Sequence, residues 1–285
     1  MLAQKVEDII QSVAGLRPMP ANVSRLVREI DQPEVSIRRL SELISLDQAL
    51  AAHVLQMSNS ASLGYPRTCS TLYEGIMHIG LGRLKSILLS SSASDMMQRQ
   101  LNGYRLGEGE LWHHSLVTAV AAEWLAQALR YPNPEEAYVS GLLHDIGKLL
   151  LDQFVLSNYS RIVEVVQRYQ LQLWQAEEKL IGIDHARVGG LIAERWNFPV
   201  RLVDAIRCHH APSFARTSQQ LPAIVNLANS FAEDYQLANT ELFSFQLHPE
   251  SLNILKIDAT QVEKLRTGMK ASGLFPNFSA HGKSQ

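Results

Sequence analysis

The sequence predicts an all-α fold in two helical subdomains. Apolar residues recur at helical spacing in one short segment after another, with cap and turn residues between them. Over roughly the first hundred residues no stretch sustains the alternation of a half-buried strand, and no Asn-Gly or Asp-Gly hairpin turn appears, so a sheet has nothing to start from. A polar, glycine-bearing stretch from Ser90 to Gly109 separates two such helical series and is read as a helix end and a connecting loop. The expected organisation is an N-terminal helical subdomain over residues 1–105, a second over 106–240, and a C-terminal helix and tail over 241–285.

The elements follow in order. Val6, Ile9, Ile10 and Val13 form an amphipathic first helix that Gly15 stops. After the two prolines of L-R-P-M-P, Val23, Leu26, Val27 and Ile30 repeat the pattern until Asp31-Gln32-Pro33. Ser36 caps a third helix with Ile37, Leu40 and Ile44 inward, and Asp47 caps a fourth with Leu50, Val54 and Met57. The turn formers N-S-A-S-L-G-Y-P-R come next, then a Thr71/Glu74 capping box opens a helix carrying Ile76 and Ile79. Gly80 and Gly82 flank a turn into Leu84, Ile87 and Leu88. Beyond Gly109, an alanine-rich helix carries His114, Thr118, Ala121 and Leu125 on one line. Asn133, Pro134 and Glu136 open the next helix, whose stripe of Val139, Leu142, Leu143 and Ile146 runs to Gly147. Further helices carry Tyr159, Ile162, Val163 and Val166, then Trp174 and Leu180. Asp184 caps a helix with His185 in its first turn, and the helix from Pro199 delivers His209 and His210 in its last. A helix around Val262 and Leu265 precedes F-S-A-H-G-K-S-Q, read as a disordered tail.

Composition narrows the function classes. Of 285 residues, 46% are hydrophobic and 19% charged, as in a soluble globular protein, and a formal net charge of -2 with scattered Lys and Arg supports neither a general nucleic-acid surface nor a membrane surface. The amphipathic, acid-bearing first segment is not a leader, and no apolar run is long enough to span a bilayer, so the expected location is cytoplasmic. Two cysteines, Cys69 and Cys208, are too few for a disulfide framework or a cysteine metal cage. His53 and His78 sit singly on helical segments and are assigned no chemistry.

The chemistry gathers at S-G-L-L-H-D-I-G-K, residues 140 to 148. A carboxylate beside an apolar stripe needs a cation, a metal or several donors, and the adjacent imidazole offers a second ligand for the same metal. The bland reading of His144 and Asp145 is a polar cap on a core helix. They are accompanied, however, by His114, His185, His209 and His210, delivered from separate helices in the way helical bundles build metal sites. Imidazole and carboxylate suit zinc, iron, manganese or nickel, and the lack of cysteine ligands argues against a closed structural zinc site. The positive end of the helix dipole at His185 favours a neutral, metal-competent ring.

These residues match a family pattern. H-S on the alanine-rich helix, H-D-I-G-K, H-A-R-V-G and H-H-A-P resemble the HD superfamily of metal-dependent phosphohydrolases. L-R-P-M-P, I-S-L-D-Q-A-L-A-A-H-V-L-Q-M-S-N-S-A-S-L-G and I-M-H-I-G-L-G-R-L-K-S-I-L-L resemble the HDOD domain, the HD-related output domain of bacterial signalling proteins, from about Leu16 to Pro212. The resemblance implies a helical bundle followed by an HD-type bundle. The HD resemblance places metal ligands on His114, His144, Asp145, His185, His209 and His210; Lys148 is a candidate phosphate contact if the site hydrolyses, and otherwise reads as a charge near a helix C-terminus. The resemblance departs at the last ligand, where active enzymes of the HD superfamily carry Asp and this chain has Asn229, which leaves the site one negative charge short. The glycine-tyrosine-proline signature of cyclic di-GMP phosphodiesterases is absent after His210. The expectation is a non-catalytic signalling module with a weakly or partially held divalent metal. Its partners would be other signalling proteins in trans, since no receiver, kinase or output enzyme is fused to it, or a nucleotide or phosphate ligand. The alternative is a phosphohydrolase or phosphodiesterase with an altered ligand set.

Overall fold

The computed structural model describes residues 2–16, 19–59, 69–232 and 247–274. Of these, 75% are helical and none lies in a strand. The turn formers 60–67 and the tail lie outside the described residues. The chain divides into two compact units, Arg17–Asp95 and a larger one made of Met1–Leu16 with Met96–Gln285.

The smaller unit contains α2 (Ala21–Ile30), α3 (Ile37–Ser45), α4 (Gln48–Ser58) and most of α5 (Leu72–Met97). Ser36 and Asp47 cap α3 and α4 by accepting from the Arg39 and Leu50 amides. Their inward stripes, Leu40 and Ile44, Leu50 and Val54, are buried. The expected turn at Gly80 is a kink: φ of 77° there breaks a continuous helix. The helix does not end near Ser90. It runs on to Met97, and its serines return their hydroxyl hydrogens to carbonyls three or four residues back, Ser90 to Ser86 and Ser91 to Leu88, so polar residues typical of loops are satisfied inside a helix.

In the larger unit, α6 (Glu110–Ala128) lies against α7 (Pro134–Leu143). Gly141 permits the close approach, since a Cβ there would sit 2.9 Å from both the Ala119 Cα and the Thr118 carbonyl oxygen. Asn133 occupies the N-cap position of α7 but its side chain makes no cap bond. After α7 the chain turns through His144–Gly147 into α8 (Lys148–Tyr169), then α9 (Leu173–Ile181), α10 (His185–Arg195), α11 (Val200–Cys208) and α12 (Gln220–Ala232). Asp184 caps α10 through the Arg187 amide at 2.8 Å.

Helix α1 (Leu2–Gly15), grouped from sequence with the first 105 residues, packs instead on α8, α9 and α10, with Ile9 and Val13 buried and Lys5 bonded to Asn158 Oδ1 at 3.2 Å. Its buried stripe specifies an amphipathic helix but not which neighbour covers it. Helix α13 (Pro249–Leu255) packs on α12, and α14 (Ala259–Ala271) on α6. Asn102-Gly103 tightens a loop closed by an antiparallel bridge between Leu101 and Leu106. That loop lies directly on α8: Gly103 donates to Asp152 Oδ1 at 2.8 Å, and a Cβ at Gly103 would collide with the Asp152 carbonyl. Among the described residues no helix is long and apolar enough to cross a membrane.

Candidate metal centre

The turn after α7 sets the centre of the site. Gly147 lets it touch α10, because a Cβ there would run into the His185 carbonyl oxygen and lie 2.6 Å from the Gly189 amide nitrogen. The turn therefore holds His144 and Asp145 beside the start of α10, while α6 and the end of α11 supply the other rings. Asp145, 1% exposed, is the hub. Its Oδ2 lies 3.6 Å from His114 Nε2, 3.4 Å from His144 Nε2 and 2.5 Å from Lys148 Nζ, and its Oδ1 lies 3.2 Å from His185 Nε2. His114 and His144 approach through their Nε2 atoms at 3.3 Å, and His185 and His210 through theirs at 2.8 Å. All six expected ligand residues thus come together.

Three of the rings share one orientation. His144 donates its Nδ1–H to the Gly141 carbonyl at 2.7 Å, His209 to the Ile206 carbonyl at 2.8 Å, and His185 to Glu177 Oε2 at 2.7 Å. A carbonyl oxygen can only accept, so the proton of His144 and His209 sits on Nδ1, and a lone pair is left on Nε2. His209 Nε2 is buried with no hydrogen-bond partner among the described residues. Six donors of this type fit a divalent transition metal. They form two groups, His114 with His144 and Asp145, and His185 with His209 and His210, each with ligand atoms within 4.8 Å of one another.

The electrostatics follow from burial. Desolvation, with His144 alongside, pushes His114 down to about 3, and desolvation also lowers His144, His209 and His210, the last two well below the ordinary imidazole range. These rings are neutral at physiological pH. Burial disfavours the Asp145 carboxylate as well, but His144, Lys148 and His185 more than offset it and hold its pKa well below the usual carboxylate range. His185 departs from the neutral ring expected of a helix N-terminus. Burial opposes its charge, yet Glu177, then the bond to Asp145, raise it to about 9, because a carboxylate at 2.7 Å outweighs a helix dipole.

Three contributors to the site escaped the sequence reading. Glu177, fully buried on α9, grips His185 and accepts from the Tyr104 hydroxyl at 2.7 Å, and Tyr104 reaches it from the 101–106 loop. Trp174, also on α9, stacks on His210 with ring planes 10° apart. In the sequence Glu177 is one of two adjacent acids ahead of a ligand histidine, and nothing local marks it as buried. Asn229 is buried on α12, which packs on α6 and α7, and its Oδ1 has no partner among the described residues. Cys208 is a buried thiol, pushed up to about 11 by desolvation. In the smaller unit, Cys69 Sγ lies 2.8 Å from His78 Nδ1.

Comparison with known proteins agrees with this architecture. An HDOD domain protein of unknown function from Geobacter sulfurreducens has a solved structure with a TM-score of 0.71 at 26% identity, covering 97% of this chain and 96% of its own. A presumed phosphohydrolase from Shewanella amazonensis gives 0.71 at 23% identity, covering 95% and 96%, and a presumed signal transduction protein from Marinobacter aquaeolei gives 0.66 at 18%, covering 95% and 63%. At these identities the latter two share the fold alone. The chain spans less than half the length of the curated relatives it matches. The HDOD domain pattern matches residues 16–212, and the chain belongs to the HDOD domain family.

Proposed function

We propose that the chain is a signal-transduction output module that holds a divalent transition metal in the histidine and aspartate cluster and acts by binding rather than by turnover. The observation that carries this reading is how closed the cluster is. Asp145, His144, His185, His209 and His210 are all buried, and only the His114 and Lys148 side chains, 13% and 16% exposed, open toward solvent. A hydrolytic metal keeps a position open to substrate and water. Asn229, at the position where the resemblance to active HD enzymes would place an acid, adds support, since an amide leaves the site one negative charge short. His114, His144 and Asp145 would hold one ion and His185, His209 and His210 a second, or the two groups would share one through Asp145. A bound ion would supply Lewis acidity to an oxygen ligand that reached it. Lys148, tied to Asp145 at the rim, is the group that would meet a nucleotide or phosphate ligand, and signalling proteins in trans are the macromolecular partners proposed.

The second reading, a metal-dependent phosphohydrolase with an altered ligand set, draws on Lys148. An ammonium beside the hub carboxylate is suited to receiving a phosphate. One experiment separates the two: metal content of protein purified without chelator, then hydrolysis assays on nucleotides, cyclic dinucleotides and a generic phosphodiester. Bound metal with no turnover supports the output module, enzyme-like turnover supports the hydrolase, and no metal under any loading removes both.

A further inference from the structure

We infer that Glu177 and Tyr104 form a positioning pair that locks His185 in the orientation and tautomer from which Nε2 ligates a divalent metal. The inference rests on the metal reading of the cluster and extends it to residues outside the ligand set.

Glu177 holds His185 at two points. Its Oε2 accepts from the His185 backbone amide at 2.8 Å and from the ring Nδ1–H at 2.7 Å, so one oxygen ties the ring to its own main chain and fixes both side-chain torsions. The other oxygen, Oε1, is taken by the Tyr104 hydroxyl at 2.7 Å, which stops the carboxylate from rotating away. Tyr104 is itself 2% exposed and is brought in by a loop pinned to α8 through Gly103. With the Nδ1 proton committed to Glu177, Nε2 is the ring atom that faces inward. There it meets Asp145 Oδ1 at 3.2 Å and His210 Nε2 at 2.8 Å. A carboxylate oxygen and two imidazole nitrogens directed at one another repel unless a proton or a metal lies among them. The same arrangement, a carboxylate on the far nitrogen of a ligating histidine, orients the ring and raises its basicity toward a metal. His144 and His209 rest their Nδ1–H on backbone carbonyls instead, so of these three rings His185 is the one whose Nδ1–H meets a carboxylate.

A merely structural role is the competing account, and the variants separate them. Glu177→Gln keeps the shape: its amide oxygen can accept both His185 hydrogens and its NH2 can face the Tyr104 oxygen. Tyr104→Phe keeps the ring and removes the restraint. Co2+ is used as the probe, read by its visible absorption and by competition with Zn2+. The expected result is a loss of Co2+ affinity of about 10- to 100-fold in Glu177→Gln and a smaller loss in Tyr104→Phe, with a changed Co2+ spectrum, while circular dichroism shows both variants folded. Folded Glu177→Gln protein with parental affinity and spectrum overturns the inference. A second measurement needs no metal: with ring-15N histidine, the His185 Nδ1–H of the metal-free parent should be far downfield and slow to exchange, and should move upfield and exchange faster in Glu177→Gln. If the parent binds no Co2+, the metal reading fails by itself, and an unchanged Nδ1–H signal then overturns the positioning role as well.

Discussion

Replacing Gly147 with alanine tests the geometry that assembles the site. The new Cβ would overlap the His185 carbonyl oxygen and lie 2.6 Å from the Gly189 amide nitrogen and 2.9 Å from the His185 carbonyl carbon. These are backbone atoms of α10, so no side chain can rotate aside and the turn or the helix must shift. Overpacking costs about 1–3 kcal/mol where side chains absorb it, and contact with backbone places this case at about 3 kcal/mol or more. In a unit of about 200 residues that corresponds to a fall in Tm of roughly 6–12 °C. The shift would also separate His185 from Asp145, so metal affinity should fall along with stability. Differential scanning calorimetry with a metal titration reads both. A Gly147→Ala protein melting within about 2 °C of the parent, with metal affinity intact, would refute the close approach and the assembly argued from it.

Two further outcomes follow from the electrostatics. In the metal-free protein His185 is raised from 6.5 to about 9, so its contribution is fully present below pH 6.5 and is lost as pH rises through about 9, a fall of about 3 kcal/mol. Denaturant melts at several pH values should show that limb in the parent and a flattened one in Glu177→Gln; a flat parent profile from pH 6.5 to 9 contradicts the assignment. Asn229→Asp should raise metal occupancy over the parent under identical loading, as read by elemental analysis, provided the carboxylate reaches the ion. A parent that already holds two metals per chain and turns over a phosphodiester, with the variant no better, would move the conclusion to the hydrolase.

Much of the larger unit was legible because its constraints are local. Helical spacing named Leu142, Leu143 and Ile146 as buried, the Asp184 cap placed His185 in a first turn, and the sequence singled out five histidines that gather around Asp145. What escaped depends on distant partners. Glu177 sits in A-E-E-K, where nothing in the sequence distinguishes it from its neighbour Glu178, and only the fold shows that it is buried against His185. Tyr104 lies in a polar loop whose depth is set by Gly103 lying against α8. The charge of His185 was misjudged for the same reason, since the helix dipole is visible in the sequence and Glu177 at 2.7 Å is not. The serines of α5 looked like a loop because their composition favours loops, while their hydroxyls bond within the helix.

The cluster also predicts how stability should respond to metal. Neutral imidazoles with inward lone pairs, including His209 Nε2 without a partner, are held in a buried site beside an ionised Asp145. Groups buried in this way cost free energy until a cation satisfies them, and no such preformed site exists in the unfolded chain. A divalent ion that binds the folded state alone therefore stabilises it, by about 2.7 kcal/mol when its free concentration is 100 times Kd. For a unit of this size the rise in Tm is roughly 5–11 °C, growing with the logarithm of metal concentration and reversed by chelator. Binding at His185 Nε2 displaces the proton held there, so the rise should be larger at pH 9 than at pH 7. Thermal melts with Zn2+, Mn2+, Fe2+ and Ni2+, each titrated well past the protein concentration, measure this directly. Melting temperatures that stay fixed for all four ions would mean that the convergence of these six side chains serves the apo fold alone, and the metal-holding output module would fall with it.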